Sequence, residues 1–131
     1  DKQSTNAGMR SIVTKIRQVA GGEVVAWSGD NECGIKMADM YEKGELFDKW
    51  PEFQKDKDRW VVFVVAGTNG LRFYEHEPVA QKHEGLFSAF GSGRDYAMAA
   101  MASGATARQA VEVACRFDVY CGCGVDAFDL K

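Results

Sequence analysis

A chain of 131 residues, 46% hydrophobic and 27% charged, has the balance of one globular domain able to bury a core without staples. Its net charge is −3 and no basic stripe exists, which argues against nucleic acid as a partner. The longest strongly apolar run, WVVFVVAG at 60–67, is too short to cross a bilayer, and no charged start leads into an apolar signal region. No membrane partner and a cytoplasmic home are therefore expected.

In chain order, SIVTKIRQV (11–19) alternates as a strand does, GG at 21–22 reads as a hairpin turn, and EVVAWSG (23–29) is the return strand. The return strand is nearly all apolar, which places it centrally. DNECGIKMADMYEKG (30–44) turns helical, because Cys33, Met37, Met40 and Tyr41 recur at i, i+4, i+7 and i+8, and Gly44 is its stop. ELFDKWPEFQKDKD (45–58) is a charged excursion read as a solvated loop with room for a short helix, with a partner-docking loop carried by Trp50 and Phe53 as the sharper alternative.

RWVVFVVAG (59–67), TNG and LRFYEHE (71–77) form a hairpin, since NG supplies the positive φ angles of a tight turn. LFSAFG (86–91) is a further short strand. SGRDYAMAAMASG (92–104) is a helix slimmed by alanines, with Ser92 three residues before Asp95 as its cap. TARQAVEVACRF (106–117) follows, with Thr106 and Gln109 spaced as a capping box and Ala107, Ala110, Val111 and Ala114 along one face. GVDAFDL (124–130) closes the chain as a strand. The order β-β-α, β-β-β, α-α-β lacks the strand–helix alternation of a doubly wound parallel sheet. It fits an α+β fold of antiparallel sheets with helices on their outer faces.

Three kinds of chemistry fit poorly. Zinc would need Cys33 to complete the C-x5-C-x-C of Cys115, Cys121 and Cys123, and there is no C-x2-C pair. No metal and no cofactor are expected. A cysteine nucleophile needs a base, and nothing ties His76 or His83 to a thiol. GSGRD (91–95) opens a helix but lacks the rest of a dinucleotide or P-loop fingerprint. The four cysteines read as reduced thiols. Cys121 and Cys123 stand two apart, where alternate strand residues do not aim their Cβ atoms at each other.

One pattern gathers these fragments. FGSGRDYAMAAMASGATARQAVEVACRFDVYCGCGVDAF (90–128) resembles the C-terminal half of the proteasome β-type family, which includes HslV-like peptidases. Members carry a G-S-G turn, two helices with small residues, then D-x-x-S-G-G and a closing strand. VTKIRQVAGGEVVAWSGD (13–30) resembles the family's lysine strand and the strand ending at its oxyanion-hole glycine. The resemblance implies a single domain over 1–131 with a four-layer α/β/β/α sandwich of two antiparallel sheets, its leading hairpin lying upstream of Asp1.

It also implies an N-terminal nucleophile whose own α-amino group is the base. Lys15 matches the lysine that lowers the nucleophile's pKa, and Asp1 the aspartate that orients that lysine. Gly29 matches the glycine whose N–H stabilises the oxyanion. Ser92 matches the serine bonded to the reacting amine. Asp118 matches the aspartate of D-x-x-S, and Cys121 stands where the family has serine. The expected activity is amide-bond hydrolysis of polypeptide by a Thr, Ser or Cys upstream of Asp1, in a homo-oligomer served by an ATP-dependent unfoldase. A catalytically silent scaffold protein and an amidohydrolase for small amides are the alternatives.

Overall fold

The computed structural model describes residues 1–6 and 9–130, and the chain divides into two compact units. One comprises Asp1–Thr14 with Gly85–Ala127, the other Lys15–Glu84 with the residues from Phe128 onward. The described residues hold two antiparallel sheets and three α-helices.

The second unit is built on a five-stranded antiparallel sheet. Its strands are β3 (Ile16–Gln18), β4 (Val24–Gly29), β5 (Val61–Gly67), β6 (Gly70–Tyr74) and β7 (Gln81–His83), and they pair in chain order. Helix α1 (Asn31–Glu42) packs on the central pair β4 and β5. Asp30 starts it by accepting a 3.0 Å hydrogen bond from Cys33 N–H, which satisfies one orphan donor of the first turn. Of the expected stripe Cys33 and Met37 are buried, while Met40 and Tyr41 are partly buried against the same core. Cys33, Met37 and Ala38 meet Val25 and Trp27 of β4 and Val61, Phe63 and Val65 of β5. Each large side chain among them contributes about 1.5–3 kcal/mol by leaving water. Val24 and Val64, on the other face of the two strands, are also buried, as their apolar sequences require.

The first unit contains a hairpin of β1 (Gln3–Asn6) and β2 (Met9–Ile12), then helices α2 (Arg94–Ala102) and α3 (Ala107–Phe117). Small side chains let the two helices approach closely. Ala97, Ala110 and Ala114 are buried between them, together with Cys121. The Thr106–Gln109 capping box forms in full, with Gln109 N–H donating to Thr106 Oγ1 and Thr106 N–H to Gln109 Oε1.

Several expectations are corrected. The strand expected over 11–19 is two, because Val13 N–H donates to Lys2 O whereas Lys15 O accepts from Trp27 N–H. Residues 86–91 and 124–130 are not strands. An apolar segment becomes one only where a sheet edge takes its backbone groups, and no ladder engages either segment. Leu86 is fully exposed accordingly. Ser92 does not cap α2. The cap position is Gly93, and no side chain bonds there.

The charged excursion at 45–58 is not fully solvated, and the two aromatics of the docking alternative pack inward. Leu46 is buried in the core, Trp50 and Phe53 pack against it, and Trp50 Nε1 donates to His76 O. A short 3-10 turn over Glu52–Lys55 buries Gln54. Its Nε2 donates to Val61 O and Glu75 O, and its Oε1 accepts from Val61 N–H. The amide thus acts as a ladder partner for the start of β5, in place of backbone.

Candidate active site

The turn that follows α3 is shaped by one acid. Asp118 leaves the helix in an extended conformation, and its N–H still bonds Ala114 O at 2.8 Å. Asp118 Oδ1 accepts from Tyr120 N–H at 2.8 Å and its carbonyl from Cys121 N–H at 3.1 Å. Aspartate suits such a turn because its short carboxylate reaches a backbone donor two residues on. The next residues bend sharply. Cys123 holds a left-handed φ of 60°, uncommon without glycine.

The turn delivers Cys121 inward, where it is 7% exposed among the alanines of α2 and α3. Its Sγ lies 3.7 Å from Ser92 Oγ. Glycine at 93 permits that approach. A β-carbon there would fall 2.7 Å from Cys121 Sγ, 2.9 Å from Ala114 Cβ and 3.7 Å from Asp118 Oδ2. Ser92 is therefore gathered around one glycine with Cys121, 29 residues further on, and with Asp118 of the same turn.

Asp1 belongs to the same unit. Its Oδ1 accepts from Gln3 N–H at 2.8 Å. The strand it opens runs beside the turn, with Lys2 N–H donating to Gly122 O and Gly124 O, and Lys2 Nζ pairing with Asp126 at 3.1 Å. Lys15 and Gly29 belong to the other unit. Lys15 precedes β3, and its carbonyl takes the 3.0 Å bond from Trp27 N–H. Gly29 ends β4 with φ +119, and a β-carbon would stand 2.6 Å from Trp60 O, so only glycine fits. Asp30 follows it. Burial alone would raise the Asp30 carboxyl, but the bonds from Cys33 and the charge of Arg59 outweigh it and hold it below its ordinary value.

None of the four cysteines is in a disulfide. Among the described residues, no three His, Cys, Asp or Glu side chains stand together as metal ligands would. Sequence reading missed Gln3, Lys2 and Gly93, which fasten the turn. The one available signal was Gln3 and Thr5 at i and i+2, two polar residues on the same strand face.

No protein-family model matches the chain. A curated relative does. The ATP-dependent protease subunit HslV of Campylobacter fetus is 29% identical over 118 residues, which cover 72% of this chain and 61% of that protein. The chain is HslV-like in sequence and fold. It spans about three fifths of the length of that relative. The crystal structure of eukaryotic HslV from Trypanosoma brucei superposes with a TM-score of 0.71 at 20% identity, covering 95% of this chain and 86% of that one. Thiobacillus denitrificans BPH, solved in complex with epoxomicin, gives a TM-score of 0.72 at 21% identity, covering 96% of this chain and 86% of that one. The two antiparallel sheets and three helices are those of the HslV fold. Among the described residues, no helix is long and apolar enough to cross a membrane.

Proposed function

We propose that this chain is the body of a self-compartmentalising peptidase of proteasome and HslV type. It hydrolyses amide bonds in polypeptide with an N-terminal Thr, Ser or Cys that precedes Asp1. The observation that carries the reading is the gathering of Ser92, Asp118 and Cys121 around Gly93 in a chain 29% identical to an HslV protease subunit.

The roles are those that the family resemblance implies. The α-amino group of the nucleophilic residue takes the proton of its own hydroxyl or thiol. The Lys15 ammonium lowers the nucleophile's pKa, and Asp1 orients the lysine. Gly29 N–H donates to the carbonyl oxygen as it becomes an oxyanion. Ser92 and residue 121 hold the amine, and Asp118 holds the turn that presents them. No step calls for a metal. The working form is a cytoplasmic homo-oligomer, and an ATP-dependent unfoldase delivers unfolded polypeptide to it.

The test uses the full-length protein from its native gene. Intact mass shows which residue precedes Asp1 after maturation. Fluorogenic peptide turnover, blocked by an epoxyketone with one stoichiometric adduct at that residue, supports the reading. A mature protein with no Thr, Ser or Cys at its N-terminus, and no turnover, is a scaffold that kept the fold. Turnover of small amides but not of peptides makes it an amidohydrolase.

A further inference from the structure

A single buried amide joins the strand opened by Asp1 to the turn that carries Asp118 and Cys121. Gln3 is 2% exposed. Its Nε2 donates to Thr5 Oγ1 at 2.9 Å and, across the unit's two ends, to Val119 O at 3.1 Å. Its Oε1 is buried and has no hydrogen-bond partner among the described residues. It lies against Gly122, where a β-carbon would stand 2.6 Å away and meet nothing else but Gln3 Cδ within 4 Å.

A buried amide with an idle acceptor is worse for stability than an apolar side chain of the same volume. Packing therefore does not explain glutamine at this place. A glutamine does what an apolar residue cannot: it holds Val119 O. That carbonyl lies between Asp118 and Tyr120. The bonds within the turn, from Tyr120 N–H to Asp118 Oδ1 and from Cys121 N–H to Asp118 O, fix its shape. They do not fix where it stands. Its place is set by the Asp118 N–H bond to Ala114 O, by the packing of Cys121, and by what crosses from the segment Lys2–Gln3, namely the Gln3 amide bond to Val119 O and the Lys2 N–H bonds to Gly122 O and Gly124 O. Gly122, in turn, has no side chain because the Gln3 carbonyl occupies that space.

We propose that Gln3 is a positioning residue, which sets the Asp118–Cys121 turn against the strand that follows the nucleophile's segment. Asp1 and Lys2 immediately precede it, so the same few residues that follow the reacting end of the chain also place its supporting groups. The effect on rate rests on the peptidase reading; the effect on the turn does not.

The experiment reads the turn and the rate separately, in the full-length protein. Gln3→Met keeps the volume and removes both polar groups. Iodoacetamide alkylation is followed site by site by peptide mass spectrometry. Cys121 reports on the turn, and Cys33, 0% exposed in the other unit, reports on global opening. The expected result is a rise of about 10-fold or more in Cys121 alkylation with Cys33 unchanged, since local release exposes only the released segment. Unchanged Cys121 overturns the proposal, whether or not the protein is a peptidase.

If Gln3→Met also exposes Cys33, Gly122→Ala decides. Its methyl displaces the Gln3 carbonyl, so it raises Cys121 alkylation in the parent and adds nothing on a Gln3→Ser background. Equal alkylation of Cys121 in Gly122→Ala and the parent overturns the proposal. With turnover present, Gln3→Met lowers kcat by about 10- to 100-fold at unchanged KM, because misplaced amine-holding groups affect the chemical step and not peptide binding. A loss confined to KM overturns the link to rate. A wild-type protein without turnover removes the peptidase reading and leaves the alkylation test intact.

Discussion

Gly34 of α1 lies flat against Trp27 of β4, so that a β-carbon on the glycine would overlap the indole at Cδ1 and Cγ. The indole cannot yield, because its Nε1 donates to Asn31 Oδ1 at 2.8 Å and its body is 5% exposed. Alanine would gain about 1 kcal/mol of helix propensity. Overpacking a fixed ring costs about 1–3 kcal/mol and sometimes more. Gly34→Ala is expected to lose about 2 kcal/mol net, read as a lower urea midpoint with a shifted tryptophan emission. A variant as stable as the parent would show that the helix simply slides outward.

Tyr41 gives the fold an alkaline limit. Burial first, then the 2.6 Å bond to Glu23 Oε1, pushes its phenol up from 10.0 to about 12. The folded pKa lies above the unfolded one, so the contribution is complete below pH 10 and is lost as pH rises from about 10 to 12. Stability should fall across that window in the parent and fall less in Tyr41→Phe. Identical alkaline profiles for the two proteins would count against the phenol as the source. Arg72 donates to both the phenol oxygen and Glu23, so salt should weaken the effect only in part.

Thr106 and Gln109 exchange hydrogen bonds at 3.2 and 2.9 Å at the start of α3. Thr106→Ala removes the side-chain half and should cost about 1 kcal/mol, whereas Thr106→Ser should cost a few tenths. Thermal denaturation distinguishes the two. Equal losses would point to the threonine methyl instead of its hydroxyl.

How much of this was legible in the sequence depends on how far away each partner lies. Helix α1 was, because its stripe and Gly44 are local signals. The β5–β6 hairpin was, because NG fixes the turn. Segments 86–91 and 124–130 were misread, because apolar alternation says nothing about whether a sheet edge is available. Trp50, Phe53 and Gln54 were hidden by the charges around them, since Gln54 is buried by bonds to residues 61 and 75 that no local pattern announces. The candidate site was legible through family resemblance alone. Taken singly, Ser92, Asp118 and Cys121 read as cap, turn acid and core thiol. Gln3, a lone glutamine in a four-residue strand, left almost no trace.

The Cys121–Ser92 contact predicts how the proposed peptidase responds to change. At 3.7 Å a thiol makes only a weak bond to the hydroxyl. Cys121→Ser restores a strong donor and acceptor and should hold or raise kcat. Cys121→Ala removes the group and should lower kcat about 10-fold, the worth of one hydrogen bond. If alanine matches the parent, residue 121 does not serve the amine.

Lys15→Met tests the proposed placement of a charge beside the nucleophile. Removing a nearby cation raises an acidic group's pKa by about 1–3 units. Epoxyketone adduct formation at pH 7 should slow correspondingly, by about 10- to 1000-fold, with the thermal midpoint retained. A variant that reacts at the parent rate would remove Lys15 from the chemistry.

Gln54 has a practical consequence. By bonding Val61 at both its N–H and its carbonyl, it pins the two ends of a short bridge whose residues 55–59 are all exposed. An epitope or dye-accepting peptide spliced between Lys57 and Asp58 would hang from two fixed posts and leave the apolar packing beneath untouched. That bridge is the natural handle for immobilising or imaging the molecule.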